Sequence, residues 1–297
     1  MIDRYAFAHW LSVDPPVLVT FNWFPRQAPP AADTEITHIA VTGRAMTRSQ
    51  LVSHHQTLSQ IIPKWRHIVG TSDELVVYDR SDPRLMFFHD HLIVSPQFWQ
   101  IQPCEKYYDA VMQAAAVPWK RHWLAAEVDR LLLIAYAHDR TDPRLLSYLE
   151  HLKTTCPKAM WASPAGEFID SDSLSGFINQ ARCGLILSAA EGGCRAVAEY
   201  LLCGIPVVTT THTGGRMGFV NPSHMQIVPA EEKMIAAAVS EFVMARLDPH
   251  VIRNTFIRRH AAGRLQVEKD LGLVLQWPEI PILPYANMFD MEVPRAS

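Results

Sequence analysis

The sequence predicts an α/β fold built on a parallel sheet with helices on both faces, and three observations lead there. From residue 107 to residue 245, short apolar runs alternate with helical stretches, the pattern of strands joined by crossover helices. Inside that stretch, residues 184–210 read as strand, small-residue turn, helix and strand. With 297 residues, 48% hydrophobic and 19% charged, the chain has the composition of a globular protein and the length of two domains.

Taken in order, apolar runs at 17–21, 36–42, 75–78, 85–88 and 92–94 read as strands, and 50–62 carries helical spacing. Residues 27–33 hold Pro29 and Pro30 and form a loop. Pro96 and Pro103 bracket an aperiodic segment near 95–105, the expected hinge. The expected division is 1–104, 105–265 and a terminal segment 266–297. Beyond the hinge, strands are expected at 107–115, 131–137, 159–161, 184–187, 206–210 and 225–228. The matching helices are 121–127, 143–153, 173–180, 193–203, 232–245 and 249–265. Open parallel sheets bind ligands outside the C-terminal ends of their strands. Lys120, residues 188–193 and residues 211–216 all follow strand ends, which places them on one rim.

Within the run Ser188-Ala189-Ala190-Glu191-Gly192-Gly193, small residues let the backbone approach a ligand closely. The helix that follows offers exposed N–H groups at its start, so a diphosphate against Gly192 and Gly193 is stabilised without a cationic side chain. Gly204 is the expected helix terminator and Pro206 prevents any continuation. Glu191 and Glu199 stand eight residues apart, roughly 12 Å along a helix at 1.5 Å per residue, the reach between two sugars flanking a diphosphate. Each carboxylate accepts paired hydrogen bonds from neighbouring hydroxyls. The bland alternative makes Glu191 a first-turn helix residue and Glu199 a solvated surface residue.

Composition excludes several classes. The formal net charge of -3 predicts no nucleic-acid partner. Five cysteines form no C-x-x-C pair, so a reducing compartment is expected rather than a disulfide framework. The first residues lack a basic stretch followed by an apolar core, and no run of about 18 apolar residues occurs, so the expected location is cytoplasmic. Trp10, Trp23 and Phe24 are candidates for peripheral membrane contact, although basic neighbours are few. His89-Asp90-His91 has ligand chemistry but no further partner to complete a set, and no metal site is expected. The oligomeric state is left open.

The segment 172–228 resembles the C-terminal domain of retaining GT-B glycosyltransferases of the family four type, also called glycosyltransferase group 1. It carries Ser188, Glu191-Gly192, Glu199, Cys203-Gly204-Ile205-Pro206-Val207-Val208 and Gly214-Gly215-Arg216 in that family's order and spacing. The resemblance implies a GT-B fold of two Rossmann-like domains facing a cleft, with the N-terminal, acceptor-side domain reduced and the segment 266–297 expected to return to it. It implies that Glu191 contacts the transferred hexose, that Glu199 contacts the ribose, and that Ser188, Gly192, Gly193, Gly215 and Arg216 line the donor site. A cationic residue follows the first strand of this domain in the family. Lys120 stands in that place, Ala114-Ala115-Ala116 occupy the position of a usual arginine, and Arg121 is the substitute candidate.

His89 or His91 would supply the histidine that lies over a sugar in related enzymes; the alternative is a histidine hydrogen-bonded at a strand end. Phe21-Asn22-Trp23-Phe24-Pro25-Arg26 stands where the family has a glycine-rich loop, so Trp23 and Arg26 become candidates to clamp an acceptor. The implied activity is retaining transfer of a hexosyl group from a nucleotide-diphosphate sugar to a carbohydrate or other small acceptor, in glycan or polysaccharide biosynthesis. Lys120, Glu191 and His89 would be its catalytic residues, with no metal and no cofactor beyond the donor. The competing readings are a non-catalytic sugar-nucleotide or partner-binding protein on the same scaffold, and sugar-nucleotide epimerisation or phosphorolysis.

Overall fold

A computed structural model of the chain describes residues 7–13, 16–21, 36–41, 53, 56, 65–71, 85–87, 94, 96, 98–137, 139–191, 194–212 and 221–275. The chain divides into two compact units. One comprises Met1–Ile93, Gly192–Cys194 and Ala261–Ser297, the other Val94–Glu191 and Arg195–His260.

The first unit holds a sheet of β1 (Phe7–Val13), β2 (Pro16–Phe21), β3 (Ile36–Val41), β4 (Trp65–Thr71) and β5 (Leu85–Phe87), paired in chain order. β1 and β2 pair antiparallel, while β2 to β5 are parallel. Sequence reasoning found β2, β3 and β5 but missed β1 and β4, whose polar and histidine positions break the apolar run. Ser53 and Gln56 are helical, the rest of the expected 50–62 helix and the expected 75–78 strand lie outside the described residues, and Val94 sits in a bend.

The second unit is a six-stranded, wholly parallel sheet. Its strands are β6 (Ala110–Ala115), β7 (Leu131–Tyr136), β8 (Met160–Trp161), β9 (Gly184–Ile186), β10 (Val207–Thr210) and β11 (Met225–Val228). They lie in the order β11-β10-β9-β6-β7-β8. Counted from β6 as the first, this is the 3-2-1-4-5-6 order of a Rossmann sheet, and the order reverses between β6 and β9. The helices are α1 (Pro143–Thr155), α2 (Ser171–Asn179), α3 (Arg195–Leu202), α4 (Glu232–Ala245) and α5 (Pro249–Leu275), the last contributing only residues 249–260 to this unit. Asp142 and Asp170 cap α1 and α2, their side chains accepting from the amides of Arg144 at 2.9 Å and Ser173 at 2.8 Å. α5 runs ten residues past its expected end at 265 and contains Gly263 and Gly272, each costing about 1 kcal/mol relative to alanine without terminating the helix.

Alternation along the strands builds a core on each face. Met112, Leu131, Leu133, Leu185 and Val208 form one buried cluster with Leu124, Ile235 and Phe242. On the opposite face α3 lies close to the sheet. A Cβ at Gly184 would sit 2.2 Å from the ring of Tyr200, so only glycine admits that tyrosine. The hydroxyl of Tyr200 in turn accepts from the amide of Gln113 on β6 at 2.8 Å.

The expected helix at 121–127 is absent. Two short 3₁₀ turns, Pro118–Lys120 and His122–Ala125, take its place, and Arg121 between them has φ 53°. That left-handed residue breaks any α-helical run, and it lets His122, Leu124 and Ala125 turn into the core while Arg121 turns toward the strand ends.

Candidate functional site

The point where strand order reverses is where an open α/β sheet binds its ligand, and here the two strands flanking it are β6 and β9. The turn after β6 delivers Lys120; the turn after β9 delivers Ser188 and Glu191. They meet. The Lys120 ammonium forms an ion pair with Oε1 of Glu191, and the Ser188 hydroxyl donates to the same oxygen at 2.6 Å. Backbone pins the two turns together, since the Ala189 amide donates to the carbonyl of Trp119 at 2.9 Å. Trp119 itself is 56% exposed, placing a flat apolar ring beside Lys120.

Arg121 is committed elsewhere. Its Nε donates to the Leu187 carbonyl at 2.5 Å and its terminal nitrogen to the Thr210 hydroxyl at 2.6 Å, tying the ends of β9 and β10. Burial pulls its pKa down from the usual guanidinium range. The two cations that sequence left as rivals thus differ in kind: Lys120 stands among the site's acidic and hydroxyl groups, while Arg121 braces the rim.

Glu199 is on α3 and only 4% exposed, so the surface alternative for it does not hold. Its Oε2 accepts from Nε2 of Gln113 at 2.9 Å. α3 begins at Arg195, after Glu191, so the two carboxylates do not share one helix and the 12 Å helical reach does not measure their separation. The helix ends as expected. Gly204 has φ +73°, the Ile205 amide donates to the Tyr200 carbonyl and the Gly204 amide to that of Leu201, the two bonds of a Schellman motif.

Sequence reasoning missed Tyr136, Arg195 and Gln113. The Tyr136 hydroxyl lies within the fields of Lys120, Arg195, Glu199 and Glu191, and burial raises its pKa. Its signal was available, since Tyr136 ends β7 beside the end of β6, paired with Ala115. Arg195 opens α3, a cation at the positive end of a helix, an arrangement that raises the local affinity for an anion. His122, directly after Arg121, is fully buried, and burial depresses its pKa to about 4. Cys183 and Cys203 are buried thiols pushed up to about 12, and all five cysteines are free, Cys104 alone being exposed.

The structure therefore brings Lys120, Ser188 and Glu191 together, places Glu199 on the helix behind them and turns Arg121 aside. His89, Gly192, Gly193, Gly215 and Arg216 lie outside the described residues, as do His91, Trp23, Phe24 and Arg26. Among the described residues, no three histidine, cysteine, aspartate or glutamate side chains are grouped to hold a metal ion. No described helix is long and apolar enough to cross a membrane.

The fold is a GT-B architecture with Rossmann-like domains. Solved structures similar to the chain include sucrose-phosphate synthase from Thermosynechococcus elongatus. It is 11% identical at a TM-score of 0.55, with 82% of this chain and 73% of that one covered. Anabaena HepE, solved with UDP and glucose, is 13% identical at 0.57, over 80% and 72% of the two chains. TarM is 11% identical at 0.55, over 82% of this chain and 55% of its own. No family model and no curated protein matches the sequence.

Proposed function

We propose that the protein is a retaining glycosyltransferase of the family four type, moving a hexosyl group from a nucleotide-diphosphate sugar to a small acceptor in glycan biosynthesis. The observation that carries this reading is the convergence of Lys120, Ser188 and Glu191 at the reversal point of a Rossmann sheet, with Glu199 buried behind them on α3. HepE, which shares the fold, was solved with UDP-glucose.

In this reading Lys120 neutralises the leaving diphosphate, and Arg195 and the start of α3 add positive potential beside it. Glu191 exchanges its ion pair for the hydroxyls of the transferred sugar; Glu199 takes the ribose. The glycosidic C1–O bond to the diphosphate breaks as the acceptor oxygen attacks the same face. The acceptor proton passes to the leaving phosphate oxygen, so the residues position and stabilise without forming a covalent intermediate. A sugar-nucleotide panel tests the proposal: release of nucleoside diphosphate that rises with a carbohydrate acceptor supports it, and saturable donor binding with no release overturns it.

One observation favours a second reading, sugar-nucleotide binding without transfer. The end of β6 and the residue after it carry buried Ala114 and Ala116, so this connection brings one cation to the crevice where the family's usual pattern has two. Binding without release in the same panel is the result that selects it.

A further inference from the structure

At the N-terminal ends of the same strands, on the edge opposite the Lys120 and Glu191 crevice, a cavity of about 350 Å³ opens between α4, the start of α5 and the segments entering β9 and β10. Lys106, Arg182 and Arg246 line it together with Phe242, Leu247 and Pro249, and among its described lining there is no carboxylate. Neither arginine has an ion pair among the described residues, and Nε of Arg182 is buried without a hydrogen-bond partner. Lys106 donates to the Asn179 carbonyl at 2.5 Å, and burial, with Arg182 adding to it, draws its pKa down.

Such an arrangement is costly when nothing neutralises it. The Arg182 donor is left unsatisfied, and Arg182 repels Lys106. Arg246 adds a backbone cost, since at φ 45° it occupies the position after α4 that glycine fills most easily. An oxyanion removes the first two penalties and offsets the third: it accepts from the planar guanidinium fork, neutralises the repulsion between like charges and gives the Arg246 side chain a partner. The far wall is apolar, formed by Phe242, Leu247 and Pro249, and the volume falls in the range of small-molecule sites, roughly 300–1,000 Å³.

We propose that this cavity binds a phosphomonoester carrying an apolar body, its dianionic head between Arg182, Arg246 and Lys106 and its body against Phe242 and Leu247. The site is separate from the sugar-nucleotide crevice and does not depend on that assignment.

The test is calorimetric titration of the full chain with phenyl phosphate, with inorganic phosphate and benzoate as parallel arms at fixed ionic strength. Arg246 is exposed and asparagine tolerates its left-handed backbone, so Arg246→Asn leaves the core intact; Arg182→Gln is the companion. Each should weaken phenyl phosphate at least about tenfold, the scale of one lost charge-assisted pair, while Lys120→Ala leaves it unchanged. Phenyl phosphate should also bind more tightly than either control anion. The proposal fails if the wild-type chain does not bind phenyl phosphate, if both arginine variants bind it as the wild type does, or if Lys120→Ala alone abolishes binding. Inorganic phosphate binding as tightly as phenyl phosphate overturns the ligand class.

Discussion

Lys120 and Arg121 are neighbours with opposite assignments, which makes them a direct comparison. Arg121 donates to a strand-end carbonyl and a threonine hydroxyl, so Arg121→Ala should act on stability, at about 2 kcal/mol for hydrogen bonds from a charged group. Lys120→Ala should act on turnover, lowering it about a hundredfold as removal of a positioned charge at a leaving group does, with Lys120→Arg recovering part of the rate. Thermal melts and initial rates of the two variants check this, and an exchange of the two effects reverses the assignment. His122 gives a pH signature at the same scale. Its folded pKa, about 4, lies below the unfolded value near 6.5, so the unfolded chain binds more protons between these limits. The stabilisation is complete above pH 6.5 and is lost as pH falls toward 4. Between pH 7 and pH 5 this amounts to about 2 kcal/mol, which His122→Gln should abolish in urea titrations at the two pH values.

At the scale of elements, α3 depends on glycine at two of its contacts with the rest of the unit. A methyl at Gly184 would sit 2.2 Å from Tyr200, and one at Gly204 would sit 2.7 Å from the Pro249 carbonyl oxygen on a left-handed backbone. Gly184→Ala should therefore cost about 1–3 kcal/mol, read as a lowered urea midpoint with an unchanged slope. Gly184→Ala together with Tyr200→Phe should recover little, because the clash is with ring carbons rather than the hydroxyl. The beginning and end of α3 were legible in the sequence: small residues before it, Gly204 and Pro206 after it. The parallel strands of the second unit were legible for a similar reason, since continuous Leu, Ile and Val runs such as 131–134 need burial on both faces. The turns at Pro118–Lys120 and His122–Ala125 were not. Their conformation follows from a long-range tie between Arg121 and the ends of β9 and β10, which no local periodicity records. β1 and β4 were missed because residues such as His9, Ser12, Arg66 and His67 interrupt the apolar pattern that signals a strand.

For the whole molecule, the reversal point between β6 and β9 is where the fold offers a crevice, and sequence spacing alone had placed Lys120 and Glu191 on one rim. What spacing could not supply was the grouping around them, including Tyr136 and Arg195, because β7 and the start of α3 come together only in three dimensions. If Lys120, Arg195 and the helix start hold the diphosphate, turnover should survive EDTA. Loss of activity with EDTA and its restoration by magnesium or manganese would reject that part of the mechanism. The most direct measurement is nucleoside diphosphate release from a panel of sugar nucleotides, made on the wild-type chain and on Glu191→Ala and Glu199→Gln. The latter retains an acceptor for Gln113 and so separates charge from stability. Sugar transfer at this crevice predicts acceptor-stimulated release by the wild type, a fall chiefly in turnover for Glu191→Ala, and a rise chiefly in donor KM for Glu199→Gln. Release that is unaltered in both variants would contradict it.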